Sequence, residues 1–467
     1  YPSLDIGDIV KHKDGLIILS GCMASPLSQM VIFNEEQFDG MLDIFKESFG
    51  DNFYLEIMYT GVPEQLKILY KFREVSIKQN IPIVATSDIH YVEKNDAFVQ
   101  EVLLTINQHK KLSDPVVEYD EADGKTSRWR FSTNEYYIKS RDELKKFFTD
   151  EELNESLKIS NKCDVNLDDE FGKRRLPKYP LIPNGKTSIK YLRELCRKEW
   201  VIKQLNNYAN KDIYVERIKY ELDQIEKAEL ADYYLIIWDI IKFCDDNNIP
   251  RGPSRGSAAG SIICWMINIT EPDPIKYGLY FERFWNPGRA KSMPDVDIDV
   301  DINKRPEVIE HMRKIYGNDK VIQYVTFNTM QVKNAIRDVC KVFEYPDKNE
   351  IELICAAVPH KYQNLEDAIE QSPKLKEYSV KYNRIFDVVK RLENVKKSKS
   401  SHPSAYLISD KSIYDGDIPV VRDATQKTLL TGFNMYDMEA LGYIKVDILG
   451  LKSVSVIQDI INTYNEK

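Results

Sequence analysis

What this sequence lacks narrows it first. No apolar run approaches the ~18–20 residues needed to cross a bilayer. The most apolar stretch, Tyr233-Tyr234-Leu235-Ile236-Ile237-Trp238, is soon interrupted by Asp239 and Lys242. That pattern predicts a buried helix and no membrane partner. The first residue is Tyr1, not Met, and no charged-then-apolar leader follows it, so a piece of a longer chain is expected. The 7 cysteines are scattered without a CxxC pair, which argues against a disulfide framework and a cysteine zinc site. A reducing, cytoplasmic location is the matching expectation. No internal repeat or low-complexity tract is present. Nor is there an excess of basic charge: the net charge is −9 over 467 residues. A pure phosphate-backbone binder is usually basic, so the overall balance does not favour nucleic acid, although the local charge of one face decides.

What is present can build ordinary cores, with 43% hydrophobic and 30% charged residues, and the length suggests roughly three domains. Residues 15–20, 53–57 and 81–86 read as strands, with helix-period stretches such as Pro63–Gln79 between them. Strands alternating with helices predict an α/β unit on a largely parallel sheet. The pattern turns helical over 140–163, and prolines and glycines then punctuate the chain, placing a boundary near 170. A long helical region follows over 188–247. Between Arg384 and Lys399 lies a basic-rich run, which reads as a solvated helix face and loop unless something else places a duplex nearby.

The segment Arg251-Gly252-Pro253-Ser254-Arg255-Gly256-Ser257-Ala258-Ala259-Gly260-Ser261 feeds an apolar helix. Free N–H groups and the positive dipole end of a helix start suit a phosphate, and Arg255 and the Ser257 hydroxyl can add donors. It is neither a Walker A loop nor GxGxxG. Small residues also permit a tight turn with close helix packing, so that alternative stands beside phosphate binding.

Asp295, Asp297, Asp299 and Asp301 alternate with Val296, Ile298, Val300 and Ile302. Strict alternation predicts a strand with four carboxylates on one face and a β-branched face on the core. Like charges two residues apart, about 6.5–7 Å, disfavour one another's ionisation, and a divalent cation resolves this. Two such carboxylates with a third from elsewhere can hold a metal pair. An EF-hand fails because its glycine and glutamate positions hold Val300 and Pro306. A solvated acidic edge strand is the competing reading. Near the C-terminus, Asp447 sits between Val446 and Ile448 in an apolar strand. Its partner is either Lys445, two residues away on the same face, or the same metal pair.

At this point the sequence resembles the α subunit of bacterial DNA polymerase III, the C-family replicative polymerases. The family's GRGSxAGS segment is met by Ser254 to Ser261, its FERFLNP-x-R element by Phe281 to Arg289, its SMPDxDxDF motif by Ser292 to Val300 and its GxxKxDxLGL motif by Gly442 to Leu451. Residues 326–339 are also similar, so five motifs recur in order. The resemblance implies a DNA-directed DNA polymerase transferring a nucleotidyl group from a dNTP to a primer 3′-hydroxyl with two Mg²⁺ ions. It implies a multidomain α/β and α+β fold: a partial PHP (TIM-like α/β) domain over 1–170, a beta-type nucleotidyltransferase palm over 171–327 and 402–467, and a helical thumb over 328–401. The catalytic, metal-holding aspartates fall on Asp295, Asp297 and Asp447, with Asp299 and Asp301 as supporting charge. Arg255, Gly256, Ser257, Arg289 and Lys445 would hold the nucleotide. Lys333, Arg337, Lys390, Arg391, Lys396, Lys397 and Lys399 would contact primer–template DNA.

For the N-terminal region the resemblance implies a phosphoesterase-like metal site, with Asp88 and His90 as ligands for Zn²⁺ or Mn²⁺ and Cys22 and Glu56 as further candidates. The domain's early His-rich motifs are missing, so a structural role is expected there. Departures are Ser254 for a glycine, Val300 for a phenylalanine, an insertion at Ala290-Lys291, and His402-Pro403-Ser404-Ala405 where the family has His-Ala-Gly-Gly. The expected partners are primer–template DNA, dNTPs, a complementing C-terminal half with the fingers, and, through that missing region, a sliding clamp. A split or incomplete chain is therefore expected. The alternatives are a PHP-type metal-dependent phosphoesterase or exonuclease and a non-catalytic DNA-binding fragment.

Overall fold

The computed structural model describes residues 4–117, 126–286, 294–415, 418–423 and 428–465. They form two compact units, one built from Tyr1–Val165 with Thr329–Lys397, the other from Asn166–Asn328 with Ser398–Lys467.

In the first unit, β1 (Ile18–Leu19), β2 (Phe53–Met58) and β3 (Ile83–Thr86) make a parallel sheet in that order. Strand β2 is apolar on both faces because helices cover both, and only Glu56 along it is less than fully buried. Helix Pro63–Gln79 starts on proline and stops at Asn80, which takes the left-handed conformation (φ +55°). It packs Phe72 and Leu69 onto Leu42 and Phe53 in one core. A second core of the same unit joins helix Ala97–Asn107 to helices Val332–Phe343 and Asn383–Leu392, burying Val102, Ala335, Ile336 and Val389.

The second unit is a six-stranded sheet of β4 (Asp297–Asp301), β5 (Val321–Thr329), β6 (Lys396–Ile408), β7 (Val420–Arg422), β8 (Leu429–Asn434) and β9 (Lys445–Leu451). The spatial order is β4-β9-β6-β5-β8-β7. Strands β4 and β9 are parallel, with Asp297 opposite Asp447, and β9 runs antiparallel to β6. The helical stretch expected over 188–247 is three helices, Ser188–Ile202, Lys211–Lys227 and Ala231–Asp246. Left-handed residues at Gln204 and Glu229 separate them. Helix Ala231–Asp246 is buried nearly all round, as its apolar run predicts. It shares a core with Ile263, Val300 and Ile448. Among the described residues no helix is long and apolar enough to cross a membrane.

Candidate active site

Strand β4 buries every second side chain. Val296, Ile298 and Val300 are 4%, 2% and 0% exposed, while Asp297, Asp299 and Asp301 stay partly accessible on the other face. Just ahead of the strand, the Val296 N–H donates to the hydroxyl of fully buried Tyr233 at 3.0 Å, which fixes the approach of exposed Asp295. The parallel register sets Asp447 beside Asp297. One carboxylate oxygen from each of Asp295, Asp297 and Asp447 lies within 4.8 Å of the others.

Of the two partners considered for Asp447, Lys445 is in contact with it, and the aspartates form a group that could hold a metal. The Lys445 ammonium lies 2.9 Å from Asp295 and 2.9 Å from Asp447, and the Ser404 hydroxyl donates to Asp447 at 3.0 Å. Burial works to discharge Lys445, but its hydrogen bonds to the two aspartates outweigh this and hold its pKa above the ordinary lysine value. Burial, then the charge of Asp295, pushes Asp297 up against the opposing pull of Arg255; Asp447 adds to the rise. Three carboxylates against one ammonium leave the cluster with surplus negative charge. Hard oxygen donors so placed can hold a divalent ion.

The four carboxylates of the acidic strand are not equivalent. Asp299 faces the Arg255 guanidinium at 3.5 Å, which also lies 3.8 Å from Asp297. Asp301 accepts from the Ser455 hydroxyl and the Asn303 N–H, both at 2.7 Å. Neither joins the metal-capable group, and supporting charge is the role their contacts allow.

The glycine–serine turn departs from expectation in an informative way. Gly256–Gly260 is a 3₁₀ turn, and Gly256 has φ +64° beside the Asp297 carboxylate. A Cβ at Gly260 would fall 2.5 Å from the Tyr280 carbonyl oxygen, so only glycine fits there. The following helix, Ile262–Met266, does not offer free donors. The N–H groups of Ile262 and Ile263 donate to the Glu221 carboxylate at 3.1 and 3.3 Å. Glu221 is 0% exposed and also takes the Ser261 hydroxyl at 2.8 Å and Arg217 at 2.6 Å. An internal carboxylate thus occupies the anion position of that helix. The residues of the turn that face the aspartates are Arg255 and Gly256. Sequence reasoning missed Glu221; its only signal was an Arg–Glu pair four apart on an otherwise apolar helix face.

His402, noted in the sequence only as part of a departure, also belongs to the site's surroundings. Its Nδ1 accepts from the N–H groups of Ser404 and Ala405 at 3.3 and 3.0 Å, and burial lowers its pKa. This turn sets the Ser404 hydroxyl on Asp447. Arg289 lies outside the described residues. Of the residues assigned to DNA, Arg337 pairs with Glu352 at 2.8 Å and Lys397 with Asp338 at 2.6 Å. Lys390 pairs with Glu366 and Arg391 with Asp96, while Lys396 and Lys399 are exposed and Lys333 is half-buried. Arg391, Lys390 and Arg337 hold their partners at the surface, where such pairs contribute little to stability.

In the first unit, Asp88 and His90 lie beyond the end of β3 rather than on a strand face, because Asp88 turns into the left-handed region (φ +45°). The His90 Nδ1 lies 2.9 Å from the Asp88 carbonyl oxygen and 3.8 Å from its carboxylate. Cys22 and Glu56 line one small cavity, and Glu56 accepts from the Thr86 hydroxyl at 2.7 Å. Among the described residues, the three aspartates of the second unit are the sole group of three or more acidic, histidine or cysteine side chains placed to hold a metal.

A carboxylate triad on the edge of a mixed sheet defines a class of protein able to bind a divalent cation. The comparisons with known proteins make it particular. Residues 190–450 match the family described as the bacterial DNA polymerase III alpha NTPase domain, and the chain belongs to that family. It is 33% identical to DNA polymerase III subunit alpha of Treponema pallidum over 100% of this chain and 39% of that protein. The corresponding protein of Thermus aquaticus is 31% identical over 98% of this chain and 42% of its own length, and that of Escherichia coli 30% over 100% and 40%. The chain spans about two fifths of the length of these curated relatives.

Proposed function

We propose that this chain is the PHP, palm and thumb part of a replicative DNA polymerase, extending a primer 3′-hydroxyl from a dNTP. The observation that carries the reading is the convergence of Asp295 and Asp297 from one strand with Asp447 from its neighbour, within the residues that match the family. These three carboxylates would hold two Mg²⁺ ions. When bound, the ions supply acidification of the primer hydroxyl and neutralisation of charge on the departing phosphates. Arg255, Gly256 and Ser257, with Arg289, would receive the triphosphate. Lys445 would keep Asp295 and Asp447 oriented and share in neutralising the nucleotide. The Ser404 hydroxyl would hold Asp447 in place.

On this reading the second unit is the palm, and the helices around Val332–Phe343 and Asn383–Leu392 are the thumb. Lys333, Arg337, Lys390, Arg391, Lys396, Lys397 and Lys399 would meet the duplex backbone there. The N-terminal α/β region would be structural, and the location cytoplasmic. A complementing polypeptide carrying the fingers would complete the site, and a sliding clamp would bind through that partner.

The test is primer extension by the chain mixed with a C-terminal polymerase half, comparing wild type with Asp297→Ala. Extension should fall by more than the roughly 10–100-fold that loss of an outer partner of a metal site costs. Extension unaffected by the substitution would refute the assignment.

A further inference from the structure

The first unit carries a cavity that the proposed polymerase chemistry does not use. Strand β2 ends at Met58, and Tyr59 and Gly61 just beyond it line a cavity of about 380 Å³. Ligands of parallel sheets settle beyond the carboxyl ends of the strands, and a cavity of this size can enclose a small organic molecule. Among the described residues that line it, none is Asp88, His90, Cys22 or Glu56.

Its charge is unbalanced. Lys94, Lys139 and Lys146 line it against Glu135 and Glu143. The Glu135 carboxylate serves two ammoniums at once, Lys94 at 2.5 Å and Lys139 at 3.7 Å. Glu143 is engaged by the Tyr137 hydroxyl and by the N–H and hydroxyl of Ser140. Lys139 is the enclosed member. Its side chain is 4% exposed, its ammonium donates to the Glu135 carbonyl, and it stands 4.7 Å from the centre of the Tyr137 ring. An enclosed ammonium is costly unless well paired, and burial lowers its pKa. A further anion beside it would offset that cost.

The cavity also has an aromatic wall. The rings of Tyr59 and Phe147 lie 4.6 Å apart, and Phe147 is 41% exposed, which leaves ring surface to cover. An anion alone would leave this wall bare, and an apolar ring alone would leave the surplus charge unmet. That surplus is small, which suits a monophosphate better than a triphosphate. We propose that this cavity binds a nucleoside monophosphate, with Lys139 and Lys146 taking the phosphate and Tyr59 and Phe147 taking the base. Ammonium–phosphate hydrogen bonds are charge-assisted, and stacking on an aromatic side chain accepts any base. The site depends on neither the aspartates of the second unit nor a metal.

The test is calorimetric titration of the full chain in EDTA, which keeps divalent ions from the aspartates, with AMP, ribose phosphate and adenosine as probes. AMP should bind about tenfold tighter than ribose phosphate, as stacking of a base supplies, and tighter than adenosine. Lys139→Met should weaken AMP about tenfold, as for loss of a hydrogen bond to a charged group. Lys146→Glu should weaken it as much, and because Lys146 is exposed, that variant keeps the test decisive even if Lys139→Met does not fold. Photocrosslinking with azido-AMP should mark the peptide that holds Tyr59 or the one that holds Phe147. The proposal is overturned by absence of AMP binding, by AMP affinity equal to that of ribose phosphate or adenosine, by unchanged affinity in Lys146→Glu, or by labelling confined to other peptides.

Discussion

A lysine touching two carboxylates offsets part of their charge, and Lys445 does this for Asp295 and Asp447. Asp447 is 5% exposed, and a buried charge stripped of its partner is costly. In the metal-free chain, Lys445→Met should therefore destabilise the fold by about 3 kcal/mol, as for removal of one member of a buried pair. Millimolar Mg²⁺ should restore part of that loss, since a ligand of the folded state alone stabilises it. Denaturant unfolding with and without the ion measures both, and equal losses in the two conditions would count against a metal at the aspartates. His402 makes a pH-dependent claim. Burial, the largest cause, lowers its pKa, and its Nδ1 accepts two backbone N–H bonds that the imidazolium, which carries a proton there, would lose. The folded pKa lies below the unfolded value of 6.5. The unfolded chain thus binds more protons below that value, and stability is lost as pH falls from about 6.5 through the lowered folded pKa. Ring-proton NMR should show His402 titrating below 6.5, and His402→Asn should flatten this part of the stability profile.

At the scale of elements, two devices hold the site. One is the register of β4 on β9, which sets Asp297 against Asp447; a slip of one residue would turn every aspartate into the core. The other is the Arg217–Glu221 pair, which ties helix Lys211–Lys227 to the turn: Glu221 takes the N–H groups of Ile262 and Ile263, and Arg217 donates to the Gly260 carbonyl at 3.0 Å. Glu221→Ala would leave the Ile262 and Ile263 amides buried without their acceptor, while Arg217 keeps its bonds to the Gly260 and Leu279 carbonyls. The expected cost is about 2–6 kcal/mol, at about 1–3 kcal/mol for each buried amide left unsatisfied, read from chemical unfolding. A loss under about 1 kcal/mol would show that water reaches the cluster. The apolar run at Tyr233–Trp238 was legible as a buried helix because its residues leave no polar face. Glu221 was not legible, since a glutamate four residues after an arginine is ordinarily a surface pair, and only packing reveals that the glutamate is enclosed.

At the scale of the molecule, the chain passes between its two units at residues 165, 328 and 397, and each unit has cores of its own. The candidate active site lies wholly in the second unit, so Mn²⁺ uptake at the aspartates should survive substitutions that disrupt only the first.

The sequence by itself determined the acidic alternation and hence a strand with a charged face, because side-chain direction along an extended backbone is a local property. It also determined that those charges need a counter-ion, since crowded carboxylates repel wherever they are. The motifs, in order, were enough for the family. Only the tertiary structure decided which carboxylates meet, that Lys445 touches two of them, that Glu221 fills the anion position of the helix after the turn, and that Ser404 reaches Asp447. Each of these depends on strand order and on the packing of segments distant in the chain, and no pattern of neighbouring residues encodes those distances.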